Sequence, residues 1–91
     1  MVRYRGVPNY TVTFKKSVAK DLRAIPNRDV ARILKRIDSL TEDPRAKGCI
    51  RLSGQEGYRV RQGEYRIIYE IRDDRLIVHI VKIAHRARVY S

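Results

Sequence analysis

The sequence predicts an α+β fold in the order β-α-α-β-β-β, an antiparallel sheet with a helical hairpin packed on one face. Three features predict it. Residues 10–14 alternate large apolar side chains with threonines, residues 14–40 carry apolar positions at helical spacing in two segments, and residues 58–84 divide into three strand-like runs separated by short polar turns.

The first strand is Tyr10-Thr11-Val12-Thr13-Phe14, rich in β-formers. From Lys15 the period changes. Phe14, Val18, Leu22 and Ile25 lie on one helical face, with Lys15, Lys16, Lys20 and Arg23 on the solvent side. Pro26 disfavours helix at Ile25, and Asn27 is placed to cap a second helix with Asp29 in its first turn. That helix carries Val30, Ile33, Leu34, Ile37 and Leu40 on one face, and Thr41 to Pro44 end it. Residues 45–57 hold Gly48, Gly54 and Gly57 and read as a loop, with a short extended piece around Ile50 and Leu52. Tyr58 to Arg61, Tyr65 to Arg72 and Leu76 to Ala84 are the remaining strands. The turns Gln62-Gly63-Glu64 and Asp73-Asp74 make them an antiparallel meander. The aliphatic run of the last strand suggests a central position under the helices.

Ninety-one residues suit one domain spanning 1–91. Hydrophobic residues are 43% and charged residues 34%, a balance that fits a packed globule and excludes a disordered chain. Lys and Arg number 21 against 10 Asp and Glu, a formal net charge of +11, and this attracts a polyanion in a salt-dependent way. Cys49 is the single cysteine, which excludes an internal disulfide and fits a reducing compartment. Neither a secretory signal nor a stretch of ~20 apolar residues is present, so the expected location is the cytoplasm, with no membrane contact.

The chemistry concentrates in the last third of the chain. Arg59 and Arg61 are two apart on one strand, with Cα atoms about 7 Å apart and side chains on the same face, suited to successive phosphates. Arg66 is placed to meet them across the hairpin. Arg86 and Arg88 leave the last strand near Tyr90. Guanidinium groups converging on one phosphate stabilise the charge that builds on its oxygens as phosphorus becomes five-coordinate, and a tyrosine can stack on a base. His85, at the strand end beside Arg86, is suited to proton transfer. His79 lies inside an aliphatic run and reads as a sheet histidine, and Glu64 as a turn residue. A Gly-rich phosphate loop, a paired-cysteine metal motif and a serine triad are all absent, so neither cofactor nor metal is expected.

The run from Gly57 to Ile71, Gly-Tyr-Arg-Val-Arg-Gln-Gly-Glu-Tyr-Arg-Ile-Ile-Tyr-Glu-Ile, and the run from Leu76 to Tyr90 ending in His-Arg-Ala-Arg-Val-Tyr resemble the RelE/ParE superfamily of toxins, the RelE branch in particular. The similarity also takes in Tyr10 to Pro26. It implies a toxin of a type II toxin–antitoxin pair, a metal-independent endoribonuclease (mRNA interferase) that enters the ribosomal A site and cleaves mRNA there, inhibiting translation. In that family the ribose 2′-hydroxyl attacks the adjacent phosphate, leaving a 2′,3′-cyclic phosphate and a 5′-hydroxyl. Its implied partners are mRNA on the ribosome and an acidic antitoxin, with a monomer when free and a hetero-oligomer with the antitoxin.

By position the resemblance implies that Arg59 and Arg61 line the phosphate path, where the best-known member has lysines. Arg66 would stabilise the transition state, Arg86 would assist the leaving oxygen, and Tyr90 would stack on the scissile nucleotide. An arginine resists deprotonation and makes a poor base. His85 is therefore the expected proton acceptor, with Tyr90 next. Two other readings share these residues: a ParE-like inhibitor of DNA gyrase, which needs no phosphate-cleaving cluster, and a non-catalytic RNA- or ribosome-binding module, which gives His85 no reason to sit among arginines.

Overall fold

A computed structural model describes residues 9–87. The elements are β1 (Thr11–Phe14), α1 (Ser17–Arg23), α2 (Asn27–Ser39), β2 (Ile50–Arg51), β3 (Tyr58–Gln62), β4 (Tyr65–Arg72) and β5 (Ile77–His85). They form one five-stranded sheet in the order β1-β5-β4-β3-β2. The expected meander is β3-β4-β5, and the extended piece near Ile50 is a two-residue edge strand against β3.

The sheet is mixed rather than wholly antiparallel, because β1 runs parallel to β5, pairing Thr11 with Ile77 through Phe14 with Ile80. The alternation of β1, with Val12 turned to the core between threonines, is the same for either direction of pairing. Its orientation is set by the route of the helical hairpin over the sheet.

The helices cover one face. Val18, Ile25, Ile33, Ile37 and Leu40 from the helical layer pack on Val60, Ile67, Tyr69, Val78, Ile80 and Ile83 from the strands, all buried. Leu34, expected in that stripe, is 42% exposed, since the apolar arc of α2 is wider than the surface it covers. The cap of α2 also differs from expectation. Pro26 takes the N-cap position and its carbonyl accepts from the N–H groups of Asp29 (2.9 Å) and Val30 (3.0 Å), which leaves Asn27 as the first helical residue.

The phase of β5 changes midway. Ile68 pairs with Lys82 but Tyr69 pairs with Ile80, so one extra residue, Val81, is accommodated as a bulge. Before it the even residues Val78 and Ile80 are buried, and after it the odd residue Ile83 is. Past the bulge, His85 therefore shares the helix-covered face and Lys82 and Ala84 share the open one.

Where β1 stops, α1 takes over the outer edge of β5. Lys15 N–H donates to the Ile80 carbonyl at 2.9 Å, and further along the Ile83 N–H donates to Asp21 Oδ2 at 3.1 Å. A buried strand donor left without that carboxylate would cost about 1–3 kcal/mol. At the centre of the covered face Tyr69 is buried, stacks on Tyr58 with ring centroids 5.9 Å apart, and donates its hydroxyl to the Pro44 carbonyl at 2.7 Å. Burial pushes the Tyr69 phenol above the ordinary tyrosine range.

Candidate active site

The open face of the sheet carries the cations. Val60 and Ile67 point into the core, so their neighbours Arg59, Arg61 and Arg66 point away from it. Register places Arg61 directly opposite Arg66 on the β3-β4 hairpin, and Ala84 beyond Arg66 on β5. Directly opposed residues have Cβ atoms roughly 5 Å apart, and like charges there repel. This repulsion is relieved when an anion lies between them, and the small Ala84 leaves room beside Arg66. Arg61 is exposed, while Arg59 and Arg66 are half-buried, so their guanidinium groups act closer to a low-dielectric surface than free side chains would.

Arg86 reaches the same end of the sheet. Its N–H donates to the Glu64 carbonyl at 2.8 Å, and its Nε lies 2.8 Å from Glu64 Oε1. Glu64, read from sequence as a turn residue, is thus the ionic partner that holds the exit of β5 against the β3-β4 turn. Only that turn, next to Tyr-Arg, could have signalled it. Arg88 and Tyr90 lie outside the described residues.

His85 is placed apart from the arginines. It is paired with Tyr65 on the covered face and packs edge-on against that ring, centroids 5.6 Å apart at 84°. Its Nδ1 accepts the Ala87 N–H at 3.1 Å, which leaves the proton of the neutral ring on Nε2. It borders a groove of ≈ 550 Å³ between the end of α1 and the end of β5, together with Asp21, Ile25 and Tyr65. The structure brings Arg59, Arg61 and Arg66 onto one face with Arg86 at its end, and does not bring the His85 ring there. His79 is the histidine of the open face. Its Nδ1 is 2.7 Å from Thr13 Oγ1 and it is paired with Glu70, two strand rows from Ala84 and Arg66.

At the opposite end of the sheet the charges are paired. Arg45 binds Asp73 through two hydrogen bonds, Nη1 to Oδ1 at 3.1 Å and Nη2 to Oδ2 at 2.7 Å, and Tyr10 donates to Asp73 Oδ1 at 2.6 Å. Arg45 also lies 5.5 Å from the Tyr58 ring centroid and donates its Nε to the Tyr58 hydroxyl. The hydrogen bonds from Arg45 and Tyr10 lower the Asp73 carboxyl to about 2. The same contacts raise Arg45 and Tyr10 above their ordinary ranges.

Residues 12–90 match a family described as the ParE toxin of type II toxin–antitoxin systems, parDE. The chain belongs to this toxin family. Its relatives include Toxin RelG of Mycobacterium tuberculosis, 31% identical over 83 residues covering 89% of this chain and 95% of RelG. Another is the putative toxin RelE1 of Methanocaldococcus jannaschii, 36% identical over 87 residues covering 90% and 96% of the two chains. Among solved structures, the M. tuberculosis toxin–antitoxin complex RelBE2 holds a chain that superposes with a TM-score of 0.78 at 30% identity, covering 88% of this chain and all of that one. Solved relatives include RelE toxins of Pyrococcus horikoshii and Methanococcus jannaschii held in complex with the antitoxin RelB, and this chain has the fold of that family. Among the described residues no helix is long and apolar enough to cross a membrane.

Proposed function

We propose that this toxin is an endoribonuclease that enters the ribosomal A site and cleaves the mRNA there without a metal ion. The observation that carries the reading is the opposed Arg61–Arg66 pair, with Arg59 on the same open face and Arg86 at its end. In the reaction the ribose 2′-oxygen bonds to the neighbouring phosphorus and the bond from phosphorus to the 5′-oxygen of the next nucleotide breaks. A 2′,3′-cyclic phosphate and a 5′-hydroxyl result. Arg59 and Arg61 hold phosphates in line, and Arg66 stabilises charge on the non-bridging oxygens of the five-coordinate state. Arg86 hydrogen-bonds the leaving oxygen once substrate displaces Glu64. A guanidinium keeps its own proton, so that oxygen takes its proton from water, and the hydroxide formed is neutralised by the proton removed from the 2′-hydroxyl. Tyr90 stacks on the scissile nucleotide.

His85 accepts the 2′-hydroxyl proton in this reading, and the geometry sets a condition on that role. Its ring has to leave Tyr65 and the Ala87 N–H and turn round the end of the sheet, a change assigned to the ribosome-bound state. An acidic antitoxin covers the basic surface when the toxin is held inactive, and the site of action is the cytoplasm. The test is incubation with ribosomes carrying a defined mRNA and mapping of the RNA ends. The expected product is a cut within the A-site codon bearing a 2′,3′-cyclic phosphate, and intact mRNA under conditions where a control RelE toxin cuts overturns the reading. The match to a family named for ParE favours one second reading, inhibition of DNA gyrase. Loss of supercoiling by gyrase on adding the protein would select it.

A further inference from the structure

The open face continues beyond the arginine pair. One strand row, about 7 Å from the Arg61–Arg66–Ala84 row, contains Ile50, Arg59, Ile68 and Lys82, each paired with the next across β2, β3, β4 and β5. Lys82 reaches this face only because the bulge at Val81 reverses the phase of β5. Without that extra residue Lys82 would lie under the helices. Arg59 and Lys82 flank half-buried Ile68, with Cα atoms roughly 10 Å apart across two strand spacings.

The charges on this face differ in how they are used. Arg72 is paired with Glu70 at 2.9 Å and Arg86 with Glu64. Lys82 is exposed and forms no ion pair with a described residue, and it also borders the groove beside α1 at the outer edge of β5. No carboxylate lies in its row. An uncommitted ammonium beside an apolar floor, one row from an opposed arginine pair, suits one nucleotide of an extended single strand. The sugar or base lies on Ile68 and the phosphate goes to the cation.

We infer that Lys82, facing Arg59 across Ile68, forms a phosphate subsite for the nucleotide next to the one that is cleaved. Lys82 is a substrate-positioning residue, and the inference rests on the reading of this face as an RNA-cleaving surface. The contact is made equally in the ground state and in the transition state, so it acts on KM rather than on kcat. A compact ammonium needs no fixed fork geometry at this point, and arginine can replace it.

The test compares wild type, Lys82→Ala and Lys82→Arg in two assays: steady-state cleavage on programmed ribosomes, and binding of a short labelled single-stranded RNA to the toxin over a range of salt. Lys82→Ala is expected to raise KM roughly three- to tenfold with kcat within about twofold. It should also flatten the plot of log affinity against log salt by about 0.7, the share of one phosphate contact on a single strand. Lys82→Arg is expected to restore both. A purely structural role for Lys82 would move the melting temperature and leave the salt slope alone. If wild type cuts and Lys82→Ala keeps its KM and slope, the inference is overturned. A variant that loses affinity only for the antitoxin overturns it as well, in favour of a protein contact. If wild type binds RNA with a Lys82-dependent slope but cuts nothing, the subsite stands and the cleavage reading falls.

Discussion

The two ends of the sheet use charge in opposite ways. At the β4-β5 turn, Asp73 is met by a bidentate Arg45 and by the Tyr10 hydroxyl, and Arg45 is covered by Tyr58. At the β3-β4 turn, Arg61 opposes Arg66 and Arg86 arrives beside them, with Glu64 as its ionic partner. The first end ties the residue before β1, the loop after α2, β3 and the β4-β5 turn together. The second sets two guanidinium groups opposite each other across the hairpin, an arrangement that a ligand of opposite sign favours. Stability and activity should therefore respond to different residues.

The largest expected effect is Arg66→Ala, which should lower cleavage on programmed ribosomes by roughly 10²–10³-fold, as loss of a transition-state donor does. Its melting temperature should change little, because Arg66 is not part of the hydrophobic core. A fall in melting temperature matching the loss of activity would erase the distinction between the ends. Next comes Tyr69→Phe, which leaves the Pro44 carbonyl without its donor and should cost about 1–2 kcal/mol, roughly 4–15 °C in Tm for a domain of this size. Cleavage measured well below the new Tm should be unchanged.

Asp73→Asn should lower Tm by less, since the clamp is largely solvent-exposed, and it should also change the pH dependence. Asp73 is held at about 2, below the ordinary carboxylate value of about 3.9, so its contribution is complete above pH ~4 and is lost as the pH falls towards 2. Thermal melts between pH 5 and 2 should show the wild type losing more stability over that window than Asp73→Asn. Smallest is Glu64→Gln, which releases Arg86 from an exposed ion pair and should change Tm hardly at all. Because Arg86 no longer has to be taken from a carboxylate, cleavage should hold or rise slightly.

Much of this fold can be read from periodicity. The helical recurrence of Val18, Leu22 and Ile25 and then of Ile33, Ile37 and Leu40 predicts the hairpin, and the alternation of Tyr58 to Arg72 places Arg59, Arg61 and Arg66 on a shared face. What periodicity could not supply is phase along β5. In Ile-Val-His-Ile-Val-Lys-Ile-Ala-His nearly every residue is compatible with burial, so a bulge leaves no mark in the composition. The bulge at Val81 puts His85 against Tyr65 and turns Lys82 outward. A strand without it would put His85 among the arginines. The parallel pairing of β1 and the Arg45–Asp73 clamp were equally hidden, because both join residues far apart in the chain whose local patterns carry no sign of their partners.

The measurement that bears most directly on this division of labour is the rate of A-site mRNA cleavage on programmed ribosomes by Arg66→Ala and Asp73→Asn, each compared with wild type at a temperature where all three are folded. The expected result is a loss of at least about 10²-fold for Arg66→Ala and a rate within about twofold of wild type for Asp73→Asn. Equal rates for Arg66→Ala and wild type would contradict the assignment of the open, cation-crowded end to phosphate chemistry.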